Sequence, residues 1–342
     1  MALKKGEYQA VSLYKFCLCI LVVFIHNKTD EYFQLTDKQY MFFEFFTFYV
    51  AQIAVPSFMI LSAYLLFRGY RTGNAFSKIR SRLSKLAPAY IFWNTVAIPY
   101  TVLVTGYRSS GNLIEGILGG GYDLLTSKFN FLLWYIFDLM LFLIFSPVVY
   151  KVLKNKNIGI MIIGCLYFLY ICGVQLPDIM YRRDVHLYYL LGAYLGIHEF
   201  KIYKQRTSLL DMLSGIAGLL LTVILWNSRV KTIALSIYSL GMMRYFLSRF
   251  NAKKIPIFIQ KISEANTFVY YTHIFFIGGI KKVVGLLFQT LSFKGLVCCF
   301  IAFYMSTALC LFIIIEIRKF VRKGCNRINN PRVCQFIELL VP

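Results

Sequence analysis

The stretch VSLYKFCLCILVVFIHNK, Val11 to Lys28, decides the fold class, because it sets Lys15 and His26 among Leu, Val, Ile, Phe and Cys. Eleven residues at 100° each make three helical turns plus ~20°, so both side chains fall on one helix face ~16 Å apart along the axis. That spacing draws a polar stripe across most of a bilayer. Ionisable groups at membrane depth cost at least ~2.5 kcal/mol each, so they usually face a bundle interior or a wet cavity and mark a functional pathway. The plainer reading is a lysine snorkelling at one end and a histidine at the opposite interface. Spacing alone leaves both readings open.

The rest of the chain shares this character. It is 58% hydrophobic and only 15% charged, with a mean hydropathy of +0.63, well outside the range of an ordinary soluble domain. We read an all-α, polytopic integral membrane helix bundle. At ~20 apolar residues per span, the chain holds about ten transmembrane helices with short loops. This is a single transmembrane domain over 1–342 that ends in a basic cytoplasmic tail over 318–342. The net charge of +22 would suit a nucleic-acid partner only if it lay on one compact face. The basic residues instead fall in loops between apolar spans, which excludes nucleic acid and indicates topology. The cysteines show no CxxC or ordered spacing and read as small core hydrophobes, neither a disulfide framework nor a metal site. Lys4 and Lys5 precede an apolar run with no small-residue cleavage site after it, so we expect a retained first helix.

In order, Met41 to Phe67 reads as one helix kinked at Pro56. A basic loop, Arg68 to Leu86, carries Arg68, Arg71, Lys78, Arg80, Arg82 and Lys85 and no acidic residue. Helix 3 follows over Ala87 to Gly106, then a Gly-rich connection, Tyr107 to Asn130, and a fourth helix, Phe131 to Tyr150, with Asp138 near its middle. Further spans are read at Ile158 to Gln175, Val185 to His198, Leu209 to Trp226, Thr232 to Leu247, Ala265 to Ile280 and Leu296 to Ile317, with Pro177, Arg182 and Arg183 in one loop. With the N-terminus inside, the cytoplasmic segments hold 24 Lys/Arg and the outer loops 11. That bias satisfies the positive-inside rule with both termini cytoplasmic.

Several stretches together resemble the acyltransferase 3 group of bacterial integral membrane acyltransferases. Lys15 and His26 match its first-helix pattern of a basic residue, ten others, then His. AVPSFMILSAYLLF, Ala54 to Phe67, resembles its AVPLFFxxSGYL segment, and RLSKLAPAYIFW, Arg82 to Trp93, is similar to its R-x-x-R-L-x-P-x-Y entry into helix 3. LLWYIFDLMLFLIFSPVVY, Leu132 to Tyr150, resembles an LWFLRDL helix, and ISEANTFVYYTHIFF, Ile262 to Phe276, an SxxxYxxH segment. The matches keep the family order and span most of the chain. Three departures stand out: Ala63 where Gly is usual, Phe137 in place of Arg, and Lys15 where Arg is commoner. Lysine lacks the bidentate fork of arginine.

The resemblance implies transfer of an acyl group, often acetyl, from a cytoplasmic acyl-CoA co-substrate to a hydroxyl of an outer glycan or glycolipid, at the bacterial cell membrane. No permanently bound cofactor is expected. Lys78, Arg80, Arg82 and Lys85 then offer a cationic surface for the donor phosphates, although a topology signal with anionic-lipid contact explains such a loop equally well. His26 is the natural general base, because its ordinary pKa lies near neutrality and O-acylation must remove a hydroxyl proton. Lys15 acts with it. His273 is expected to orient or replace His26, Asp138 to pair with Lys15 or another cation, and Tyr270, Tyr271, Ser62 and Tyr64 to supply hydrogen bonds. Two other functions fit the stripe: a transporter or flippase for a glycan intermediate, and a membrane sensor with a degenerate site.

Overall fold

The computed structural model describes residues 4–105, 130–174, 184–203, 208–251, 255–325, 327 and 330–342, and every regular element among them is helical. Apart from Asn130, the Gly-rich connection lies outside the described residues, as do Pro177, Arg182 and Arg183. Among the described residues, four runs are long and apolar enough to cross a membrane: Lys5–Tyr32, Asp37–Phe67, Asn266–Thr290 and Leu296–Cys325. A fifth is added if one pair bent by 62° counts as a span, and three shorter apolar helices accompany them.

The chain forms two compact units. The first is built from the described residues of Met1–Tyr70, Val149–Pro177 and Arg182–Ile315, the second from those of Arg71–Val148 and Glu316–Pro342. The first begins with α1 (Lys5–His26), α2 (Asp37–Glu44) and α3 (Ala54–Phe67). It continues with α7 (Lys156–Ile171), α8 (Val185–Ile197), α9 (Leu209–Ile224), α10 (Lys231–Asn251), α11 (Ile257–Ser263), α12 (Asn266–Thr290) and α13 (Leu296–Cys325) as far as Ile315. The second holds α4 (Ala75–Thr105), α5 (Trp134–Ile144), the end of α13 and α14 (Pro331–Leu340). The short α6 (Ser146–Leu153) joins the two.

Helix α1 is one unbroken run, so the phase between Lys15 and His26 holds in the structure. The irregular winding of the Asp37–Phe67 run lies just before Pro56. Winding stays helical from Asp37 to Phe67 but widens to a π turn at Phe45–Tyr49 and tightens to a 3₁₀ turn at Val50–Ile53. Pro56 follows this 3₁₀ turn closely and has no N–H to bond back into it. Close packing around α3 comes from Gly192 and Gly196 of α8, spaced as small-xxx-small. A Cβ on Gly192 would strike the Ile60 carbonyl and one on Gly196 that of Tyr64, so the two backbones touch. Ala63, at the position where glycine was expected, is fully buried on α3. In the α9–α10 hairpin Gly218 lies against the Tyr238 backbone, and Arg244 pairs with Asp211 at 3.1 Å. Leu210, Leu213, Leu220 and Ile224 of α9 stay exposed, as a lipid-facing helix side requires.

In the second unit the basic segment is not a loop. From Ala75 nothing breaks the backbone, and Ser, Lys, Arg, Ile and Leu are tolerated or favoured in a helix, so α4 begins eleven residues before Leu86 and runs through Pro88 and Pro99. Helix α5 breaks at Phe145, just before Ser146 and Pro147, and bends by 62° into α6. The basic tail is largely structured as well. Helix α13 continues to Cys325, and Asn330 caps α14, with Pro331 at its first position. Arg318 Nε donates to the Pro342 carbonyl at 2.7 Å, and Trp93 Nε1 to that of Leu340 at 2.9 Å, which ties down the C-terminus.

Candidate active site

The site grows from one helix pair in the first unit. Gln9 Nε2 donates to Gln260 Oε1 at 2.7 Å, Ser12 Oγ to the Ser263 carbonyl at 3.2 Å, and Cys19 Sγ to the Asn266 carbonyl at 3.1 Å. At the end of α1 the His26 and His273 rings lie 5.6 Å apart at 41°. Both series ascend together, so α1 runs parallel to α11 and α12. Ser12, Lys15, Cys19 and His26 follow heptad spacing on one helix, as Ser263, Asn266, Tyr270 and His273 do on the other. A coiled-coil seam is normally apolar. Here it is polar at both ends and in the middle, and Lys15 occupies it half-buried.

His273 is fully buried, and its Nδ1 lies 2.9 Å from the Tyr270 carbonyl and 3.1 Å from that of Val269. Carbonyl oxygens only accept, so Nδ1 carries the proton and Nε2 carries the lone pair. That Nε2 is buried with no hydrogen-bond partner among the described residues. Its ring neighbours, both tilted, are Tyr270, 6.2 Å between rings, and His26. Tyr271 is buried two residues before His273, about 200° round the helix, and so leaves the seam.

His26 is the last residue of α1, and the chain is pinned immediately after it. Asn27, only 1% exposed, places its Nδ2 2.8 Å from the Phe303 carbonyl and from Ser306 Oγ, and 2.9 Å from Thr307 Oγ1. Ser306 Oγ in turn donates to Asn27 Oδ1 at 3.1 Å. Three helices thus meet at one histidine. The sequence reading missed Asn27, although a buried amide directly after a membrane histidine is a usable signal. Asn27→Leu is expected to strand these partners and cost ~1–3 kcal/mol, read as a lower melting temperature in detergent with reduced turnover.

The second unit holds the remaining candidates. Asp138 is fully buried on α5. Phe137, where the resemblance expects Arg, packs its ring 6.3 Å from that of Tyr90. Because the basic segment is helical, its four cations do not form one surface. Lys78, Arg82 and Lys85 fall within ~60° of one another, while Arg80 lies about 200° from Lys78 on the other side. Lys78 is half-buried, and that burial, with the Arg82 charge, pushes its ammonium below the ordinary lysine pKa. A bound anion would relieve this repulsion. Among the described residues no group of three or more His, Cys, Asp or Glu is arranged to hold a metal ion.

A family model described as an acyltransferase domain matches residues 8–316, a range that contains every candidate named above. No curated protein and no solved structure matches the chain.

Proposed function

Because the chain belongs to the acyltransferase 3 family and is a membrane acyltransferase, we propose that it moves an acyl group, acetyl for preference, from cytoplasmic acyl-CoA to a hydroxyl of an extracytoplasmic glycan or glycolipid. The observation that carries this reading is the pairing of His26 with His273, whose Nε2 is buried with no hydrogen-bond partner among the described residues. In the reaction the acceptor oxygen attacks the thioester carbon, the new C–O bond forms and the C–S bond breaks. His26 takes the hydroxyl proton and returns it to the departing thiolate, so coenzyme A leaves as a thiol. His273, held in one tautomer, accepts from His26 or from the acceptor hydroxyl and keeps the pair aligned. Lys15 lies ~16 Å from His26 along the axis, too far to polarise a carbonyl under attack at His26. It serves the donor along its route.

The parallel run of α1 and α12 supports an even number of crossings between them. The contacts of Gly192 with Ile60 and Gly196 with Tyr64 make α8 parallel to α3 as well. Ten spans with both termini inside, in a bacterial cell membrane, satisfy both conditions. The competing transporter reading draws on the 62° break between α5 and α6. It would need a matching break in a related half, and no other bent span of this kind occurs among the described residues.

Donor binding belongs to the cationic face of α4. Arg82→Ala is expected to weaken acyl-CoA binding about tenfold or more, since a charge-assisted hydrogen bond contributes ~1.5–3 kcal/mol, and Arg80→Ala to weaken it much less. The loss should shrink at high salt. Equal losses for Arg80 and Arg82, independent of salt, would reduce the segment to a topology signal.

A further inference from the structure

At the end of α1 a cavity of about 340 Å³ opens among Phe24, Ile25, Asn27 and the residues that follow. Asn27, Lys28 and Asp30 line one side, and Tyr40, Phe43 and Glu44 of α2 line the other. The π turn that follows α2 completes the wall with Thr47 and Phe48. Wide turns of this kind recur at functional sites because they re-aim side chains without ending a helix. The volume falls at the lower end of small-molecule sites, ~300–1,000 Å³.

The charge of this cavity opposes that of the chain. Against 37 Lys/Arg the protein has only 15 Asp/Glu, yet Asp30, Glu31 and Glu44 meet here. Glu31 is neutralised by Lys281 of α12 at 3.2 Å. Lys281 also acts on Asp30, so Lys28 and Lys281 together stand against Asp30, Glu31 and Glu44. One uncompensated negative charge remains. It disfavours carboxylate, phosphate and sulfate groups, and so keeps the phosphates of coenzyme A, though not its remote thioester end, out of the cavity. Carboxylates accept hydrogen bonds from hydroxyls, and the half-exposed Tyr40 ring offers an apolar face to the flat side of a sugar.

We propose that this cavity is the acceptor subsite and that it takes a glycosyl unit carrying no negative charge, laid on Tyr40 and hydrogen-bonded by Asp30 and Glu44. Asn27 lines the cavity and follows His26 directly in the chain, so the subsite begins one residue from the catalytic histidine. Placement of the acceptor rests on the acyl-transfer reading; recognition of the uncharged sugar does not.

The test uses the full-length protein in detergent, with chitotetraose as the neutral probe and tetragalacturonate as the acidic one. Wild type should bind chitotetraose at least tenfold more tightly. Tyr40→Ala should weaken that binding at least tenfold and Tyr40→Phe should keep most of it, while Glu44→Lys should shift the preference toward the acidic probe. Monodisperse elution of each variant guards against misfolding. Binding of neither probe, a preference for the acidic one, or affinities within twofold of wild type in Tyr40→Ala and Glu44→Lys would overturn the subsite. Acyl-radiolabelled acetyl-CoA separates the two claims. Binding as expected with no label transferred leaves the sugar site standing and removes the acyl-transfer reading. Label transferred to chitotetraose equally by wild type, Tyr40→Ala and Glu44→Lys does the reverse.

Discussion

His26→Ala should lower acyl transfer by 10²- to 10⁴-fold, the usual contribution of a general base, while acyl-CoA still binds. The histidine terminates α1, and Asn27 fixes the backbone just beyond it, so the loss is chemical and not a matter of insertion. Helical phase provides the control. Returning a histidine at Ile25 in the His26→Ala background rotates it ~100° away from His273 and should not restore turnover. His273→Ala should cost less than His26→Ala. His273→Gln should recover little, because an amide oxygen is far less basic than an imidazole nitrogen, even where the amide N–H donates to the Val269 and Tyr270 carbonyls. Parallel steady-state assays in proteoliposomes read all of these, and near-normal transfer by His26→Ala would sink the assignment.

Lys15 should give the second largest effect and a different kinetic pattern. It is half-buried in a seam between two helices, at a depth where a charge is expensive. Lys15→Ala is expected to raise the KM for acyl-CoA at least tenfold, with a smaller fall in kcat. Lys15→Arg should keep more activity than Lys15→Ala, because the charge survives although the head-group geometry changes. A fall in kcat alone at unchanged KM would move Lys15 from the donor route to the reacting atoms.

The stripe on α1 was legible because periodicity survives wherever a helix is unbroken, and Lys5–His26 is unbroken. Its partner was not legible by the same route. His26 and His273 are 247 residues apart, and only the resemblance of the SxxxYxxH stretch drew attention to the second histidine. The facing spacing of Ser263, Asn266, Tyr270 and His273 was present in the sequence. It escaped notice because a seam is sought among apolar residues, and this one is made of Ser, Asn, Tyr and His. Charge misled the reading of α4 in the opposite sense. Six cations in nineteen residues look like a loop, yet none of them breaks a helix, and the backbone stays helical through Pro88. The π turn at Phe45–Tyr49 has no sequence signature, so the cavity it walls was invisible before the fold was known.

The central claim is that this chain forms an ester with acyl groups taken from acyl-CoA. The most direct measurement supplies acyl-radiolabelled acyl-CoA to inverted membrane vesicles that carry the wild-type protein or His26→Ala at matched levels. The account predicts alkali-labile label on glycan or glycolipid inside the wild-type vesicles and almost none with His26→Ala. Unlabelled glycan in wild-type vesicles, with glycan crossing the membrane in a manner that depends on this protein, would contradict it and establish a transporter instead.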